Sequence, residues 1–213
     1  MDRRIAVAAS LVVLAAGYLF FGSHGDAKAA IKQPIRVSGA WALYPMMVKW
    51  AEEYQKINQD VEIRVDAGGA GKGMADTLNG LVEIGMISRD IDPSETQKGA
   101  YPVRVAKDAV IPTFNKKNPV ANEILKRGVR RNQFNDIFVN GNLTKWGDVV
   151  GKPDVTNRIL VFTRSDSCGA AEIWAKYLGA KQEDLKGIGV YGDPGLLETA
   201  KMDPLGVGYN NFS

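Results

Sequence analysis

Residues 34–90 read PIRVSGAWALYPMMVKWAEEYQKINQDVEIRVDAGGAGKGMADTLNGLVEIGMISRD. Pro34 to Ser38 reads as a short strand, and Gly39-Ala40-Trp41-Ala42 as a turn of small residues around one indole. A helix follows from Pro45, since proline suits a first helical turn. Leu43, Met46, Met47, Trp50, Ala51, Tyr54 and Ile57 recur at three and four, which predicts a single apolar face. Val61 to Val65 alternates as a strand. The run Gly68-Gly69-Ala70-Gly71-Lys72-Gly73 then opens a short helix with Met74, Leu78 and Leu81 inward. Ile84 to Ile87 is a further strand, ending in Ser88-Arg89-Asp90. Strand, loop and helix, twice over and then a strand, predict an α/β chain with a mostly parallel sheet.

Beyond residue 90 the same reading gives a strand over 103–114, helices over 119–127 and 132–138, and a short helix within 142–148. It continues with a strand over 159–163, a helix after Arg164-Ser165-Asp166-Ser167-Cys168-Gly169, two short elements within 183–197, and a last strand over 206–209. The division expected is an N-terminal segment (residues 1–30), a first lobe (31–113) and a second lobe (114–213). Trp50, Trp146 and Trp174 are expected in the core. Trp41 is the exception, because it lies in a loop of ligand-binding type.

The N-terminal segment runs Asp2-Arg3-Arg4 and then seventeen uncharged residues, Ile5 to Phe21. As a helix that is about 26 Å, short of a bilayer core of about 30 Å. Ala27-Lys28-Ala29 follows as a small-x-small cleavage pattern, so residues 1–30 read as an export signal, or else as an uncleaved anchor. Both put the rest of the chain outside the cytoplasmic membrane. Residues 1–30 hold Arg3, Arg4 and Lys28 against Asp2 and Asp26, so the total of +3 leaves +2 beyond them. That balance gives no footprint for nucleic acid. His24 is the one histidine and Cys168 the one cysteine of the 213 residues. A processed chain therefore has no imidazole for a Ser-His-Asp or Cys-His arrangement, no His-ligated metal and no internal disulfide.

Three loops share one design: Ser38 to Ala42, Ala67 to Lys72, and Arg164 to Ala170. Each follows a strand, is built from small residues and opens a helix. A helix start offers unpaired N–H groups and a partial positive charge, which suits an anion, and small residues let it approach the backbone. Outside the carboxyl ends of strands is also where α/β sheets bind ligands. The donors expected are the backbones of Ala40, Trp41 and Ala42, of Gly69, Ala70 and Gly71, and of Cys168, Gly169 and Ala170, with Arg164 as the charge partner. Each loop, taken alone, is equally a tight turn, Lys72 a solvated charge and Arg164 a partner of Asp166. Cys168 at a helix start is a packed thiol or weak donor; a nucleophile there would make the protein a phosphoryl hydrolase, but no histidine stands ready as its base.

These residues carry a resemblance. Ser38 to Pro45, Gly68 to Gly73, Ile84 to Arg89, Gly141 to Asp148 and Thr163 to Gly169 occur in the order found in the solute-binding proteins of phosphate ABC transporters, which have the type II periplasmic binding-protein fold. The resemblance implies two α/β lobes with parallel and mixed sheets, hinged to close on a dehydrated oxyanion. It implies a periplasmic protein that passes inorganic phosphate to a membrane permease, with no cofactor, no metal and no catalysis. Family loops supply Ser and Thr hydroxyls where this chain has Ala40, Trp41, Ala70, Cys168 and Ala170, so another oxyanion, or a sensory module without ligand, stays open. Ser88 is a side-chain donor on this reading, and Asp90 the carboxylate that accepts a phosphate proton. The family also implies elements beyond Ser213 that complete the first lobe, so the chain is expected to be a fragment.

Overall fold

The computed structural model describes residues 33–212. The expected export signal or anchor, residues 1–30, lies outside the described residues. No helix among the described residues is long and apolar enough to cross a membrane.

The first sheet is built on β1 (Ile35–Gly39), with β2 (Ile63–Ala67) and β3 (Ile84–Met86) paired parallel on its two sides in the order β2-β1-β3. Two helices make the crossovers, α1 (Tyr44–Ile57) and α2 (Ala70–Leu78). Val37 and Ser38 on β1 are 1% exposed, as expected of a strand flanked on both sides. Gly39 has φ +136°, and a Cβ there would collide with the Met86 carbonyl oxygen; a Cβ on Gly73 would stand 2.7 Å from Gly39 Cα. Glycine at these two places lets α2 seat directly on the ends of β1 and β3. The buried apolar cluster of this half is small: Val37, Ala40, Ala70 and Met86.

The second half opens with α3 (Pro93–Gln97) and β4 (Val110–Phe114), then α4 (Ala121–Arg127) and α5 (Arg131–Asn135), which runs on as a π-turn over Asp136–Asn140. It continues with α6 (Trp146–Val150), β5 (Leu160–Arg164), α7 (Gly169–Leu178), a 3-10 turn (Gln182–Asp184), β6 (Ile188–Val190), α8 (Gly192–Met202) and β7 (Gly206–Asn211). The sheet order is β4-β7-β5-β6, with β4 antiparallel to β7 and the other pairs parallel. The core here is far larger. Phe138, Trp146, Leu196, Val207 and Tyr209 are at most 2% exposed, and Trp174 stacks on Tyr209 with ring centres 5.7 Å apart. The α/β class, the parallel first sheet and the mixed second sheet are as expected.

Three expectations change. Strand structure within 103–114 is confined to β4; Tyr101, Val103 and Val105 are 89%, 70% and 52% exposed. Alternating apolar residues make a strand only beside a partner, and among the described residues no strand pairs with 101–108. Second, α1 buries Ala51 and half-buries Tyr44 and Met47, while Met46, Trp50, Tyr54 and Ile57 are exposed. The apolar face is a single stripe, but the three-stranded sheet covers only its edge at Tyr44, Met47 and Ala51, so Trp50 is not a core residue. Third, the stretch between residue 90 and the strand expected from 103 holds a helix, α3, with its own start signal. Asp92 accepts from Ser94 N at 2.7 Å, and Glu95 Oε2 accepts from Asp92 N at 2.8 Å, a capping box spelled Asp-Pro-Ser-Glu.

Trp146 is 1% exposed and donates Nε1–H to the Leu205 carbonyl at 2.9 Å. Trp146→Ala is expected to cost about 3–5 kcal/mol, read as a lowered urea midpoint at unchanged slope.

Candidate functional site

Backbone bonds set the first two loops. Ala40 N donates to Met86 O at 2.8 Å, and Gly68 N and Gly69 N both donate to Gly39 O at 2.9 and 3.0 Å. These bonds tie the ends of β1, β2 and β3 into one platform and use the amides of Ala40 and Gly69. The third loop meets this platform directly. Gly71 N donates to Ser167 O at 3.2 Å, and a Cβ on Gly69 would stand 2.7 Å from Ser167 O and 2.9 Å from Asp166 Oδ2. A Cβ on Gly169 would collide with the Ser88 carbonyl and hydroxyl. So the loops Ser38 to Ala42, Ala67 to Lys72 and Arg164 to Ala170 do converge, and their glycines are what lets them touch.

The first N–H groups of a helix have no intrahelical acceptor. Among the described residues, the amides of Trp41, Ala42, Ala70, Gly169 and Ala170 have no protein acceptor, and the Ser88 hydroxyl makes no hydrogen bond. Cys168 N donates to Gln182 Oε1 at 3.4 Å, and Gln182 Nε2 donates to Asp166 O at 2.8 Å, so the 3-10 turn pins the third loop. Of nine backbone donors expected from the sequence, Ala40, Gly69, Gly71 and Cys168 are already engaged and the other five are free. Ser38, a further hydroxyl, donates to Asp76 at 2.6 Å, and Asp76 also pairs with Lys72.

Arg164 enters this loop from the end of β5 with its side chain 1% exposed. It lies over the larger core: Tyr209 OH is 2.8 Å from Thr163 Oγ1 and accepts from Arg164 N at 3.2 Å. The guanidinium binds Asp166 through two bonds, 2.8 Å from Nε and 2.5 Å from Nη2, and donates from Nη1 to Asp193 Oδ1. Burial works against its charge, but the two carboxylates more than offset this, and its pKa is raised. Burial raises the pKa of Asp193, against the pull of Arg164 and of a 2.5 Å hydrogen bond from Asn211 Nδ2. Asp193 lies in the first turn of α8 and was not foreseen; its pairing with Arg164 spans 29 residues and leaves no local signal.

Asp90, expected as a proton acceptor in the site, is not brought to it. Its side chain is 82% exposed and pairs with Lys176 at 3.0 Å, which lowers its pKa. β3 ends at Met86, so the two-residue spacing that would put both side chains on one face of a strand no longer applies, and here Ser88 faces the loops while Asp90 faces solvent. Trp41 is half-buried at the rim, edge-on to Tyr191 with ring centres 6.1 Å apart, and packs on Gly192. Two apolar-walled cavities, of about 180 and 270 Å3, lie elsewhere in the second half, around Phe134 and Trp146 and around Leu160.

Cys168 caps α7, its Sγ accepting from Ala171 N at 3.4 Å. Burial pushes its thiol up to about 11, with Arg164 pulling the other way, so it is protonated at neutral pH and is no nucleophile. Iodoacetamide is expected to alkylate the native protein at neutral pH at least tenfold more slowly than the urea-unfolded chain, whose thiol ionises near about 8.5; equal rates in a mass-spectrometric time course would show an exposed thiolate instead.

A family model described as a PBP superfamily domain matches residues 24–213. The phosphate-binding protein PstS 2 of Streptococcus agalactiae is 32% identical over 113 residues, 53% of this chain and 36% of its own. The phosphate-binding protein PstS of Bacillus subtilis is 25% identical, over 84% of this chain and 57% of its own. The chain thus spans about half the length of the relatives it matches, from 36% to 57% in these two. Among solved structures, a Clostridium perfringens phosphate ABC transporter substrate-binding protein with bound phosphate superposes with TM-score 0.73 and 26% identity, over 84% of this chain and 71% of that one. An ABC-type phosphate transport receptor from Vibrio cholerae shares the fold at TM-score 0.61 and 22% identity, over 84% and 72%. With the family model matched over residues 24–213 and the fold shared with these receptors over 84% of the chain, the chain belongs to the PBP superfamily, in its type II α/β form.

Proposed function

We propose that this protein is an exported solute-binding protein that captures inorganic phosphate for an ABC transporter, holding it between two lobes by amides at the starts of helices. The single observation that carries this is the set of five free amides, Trp41, Ala42, Ala70, Gly169 and Ala170, on loops that meet beside the Ser88 hydroxyl. Ala70, Gly169 and Ala170 open helices and Trp41 and Ala42 lie in the turn that leads into α1; such fixed donors suit a desolvated oxyanion. The relatives support phosphate as the ligand, since those named above are phosphate-binding proteins. Hinge closure supplies the mechanism: α2 and the Trp41 loop on one sheet and α7 on the other bring donors from opposite sides. The permease is the partner the transporter class requires. Catalysis plays no part, as in the solute-binding receptors of the family.

Two observations favour a second reading, a sensory or interaction module of the same fold without ligand. Gly71 N already bonds Ser167 O across the two loops, and Arg164 already has its carboxylates.

Titration calorimetry with phosphate, sulfate and molybdate decides between them: heat with phosphate supports capture, and none with any of the three supports the module. On the capture reading Ser88→Ala is expected to weaken phosphate binding by roughly ten- to a hundredfold, for the loss of about 1.5–3 kcal/mol in a hydrogen bond to a charged group. Cys168→Ala should stay within severalfold of wild type. Arg164→Ala is expected to do two things: weaken binding and cost about 3–5 kcal/mol of stability, because Asp166 and Asp193 are left buried without their partner. Unchanged affinity in a folded Arg164→Ala protein would move the site elsewhere.

A further inference from the structure

We propose that Trp41 contacts the captured anion with its side chain as well as its amide, the indole Nε1–H donating to an anion oxygen; this rests on the phosphate reading above. Trp41 Nε1 is buried and has no hydrogen-bond partner among the described residues. An indole nitrogen can only donate, and a buried donor without an acceptor is a standing cost to the fold. Trp174 Nε1 is the other buried side-chain atom of this kind among the described residues. It lies in the core among Phe134, Phe138, Tyr177 and Tyr209, with ring centres 5.1 to 5.7 Å away, and aromatic faces serve as weak acceptors. Trp41 instead lies in an anion loop, where its own amide and that of Ala42 are also free.

The ring is placed from both sheets. Its loop leaves β1, and its edge lies on Gly192, the first residue of α8: a Cβ there would stand 3.2, 3.3 and 3.5 Å from Trp41 Cε2, Cζ2 and Nε1. Gly192 also has φ +74°, so glycine serves twice, for the backbone turn and for the room the indole needs. The edge that faces Gly192 is the one that carries Nε1. Gly192 N in turn donates to Asp166 Oδ1 at 3.2 Å, and Asp166 holds Arg164. The N–H edge therefore faces the residue that is fastened to the Arg164–Asp166 pair, on the side of the loops where the buried charge lies. Tyr44 and Tyr191 stand edge-on to the ring, with centres 6.3 and 6.1 Å away, and fix its tilt. A ring held on three sides presents its N–H in one direction, as a recognition donor must. It adds a hydrogen bond to the anion without adding a charge to the site.

The test joins calorimetric titration of wild type and Trp41→Phe with inorganic phosphate to nitrogen–proton correlation NMR of the isotope-labelled protein through the same titration. The chain has four tryptophans, and the indole signal lost in Trp41→Phe is that of Trp41. In wild type that signal is expected to move downfield as its proton becomes hydrogen-bonded to a charged oxygen, and to saturate with the calorimetric isotherm. The signals of Trp146 and Trp174, deep in the core, should stay in place. Trp41→Phe keeps an aromatic ring and removes the donor, and should bind phosphate roughly ten- to a hundredfold more weakly. Weaker binding by Trp41→Phe with the wild-type signal unmoved would mean a packing role only, and overturns the inference. Unchanged affinity in Trp41→Phe overturns it too, wherever the signal goes. In both cases the phosphate reading stands. No heat and no shift with phosphate in wild type overturns both. Should thermal unfolding show that Trp41→Phe does not fold, the Trp41 signal is assigned by through-bond experiments on wild type and decides alone: movement downfield supports the inference, and a fixed signal overturns it.

Discussion

A guanidinium with almost no access to water has to be neutralised where it lies, and much of this structure follows from how Arg164 is neutralised. Desolvating an ion costs several kcal/mol, so its partners have to come close and stay in place. Asp166 comes from the same loop, two residues on. Asp193 comes from the first turn of α8, and Tyr209 accepts from the Arg164 backbone on the side of the core. Tyr209 is itself fully buried and stacked on Trp174. The charge at the mouth of the loops is thus fastened to the aromatic centre of the larger core, and the loop that carries it has little freedom. Gln182, bonded to both Cys168 N and Asp166 O, closes the same loop from the far side.

The first sheet solves its part differently. Its cluster of buried apolar side chains is small, and its loops are placed by main-chain bonds: Ala40 to Met86, and Gly68 and Gly69 to Gly39. Such a platform depends on side chains mainly where they must be missing, at Gly39, Gly69, Gly71 and Gly73. Ala40, Trp41 and Ala70 stand on this platform and bring no side-chain hydroxyl to it. Apart from the Ser88 hydroxyl and the Trp41 indole, the donors that remain are amides, whose direction is set by the fold and whose strength does not vary with the side chain.

What the sequence made legible divides along the same line. Periodicity and small-residue punctuation gave the strands, the helices and the three loops, because those signals are local. The loops were also expected to converge, since each sits at the carboxyl end of a strand in an α/β pattern. Long-range placement was not legible. Asp193 has no local mark and acquires its meaning only beside Arg164. Asp90 lies two residues past Ser88, and spacing alone does not say which of the two turns inward at a strand end. Trp50 and the 103–108 segment failed for another reason. Apolar character predicts burial only if something is there to cover it, and among the described residues neither has such a neighbour.

On the proposed reading, the two halves divide the work of recognition. The helix-start amides count oxygens: they bind any tetrahedral oxyanion of the right size, whatever its charge. Their attraction grows with the charge of the anion, so left alone they would favour sulfate at least as much as phosphate. A preference for the less charged species therefore has to come from a group that repels, and a carboxylate is the one kind of side chain that does so at neutral pH. Asp90, 82% exposed and paired with Lys176, is poorly placed for this. The carboxylates that stand beside the loops are Asp166 and Asp193. Asp166 is committed to Arg164 through both of its oxygens. Asp193 gives one oxygen to Arg164 and the other to a neutral amide, Asn211, so that one guanidinium holds two carboxylates from different elements.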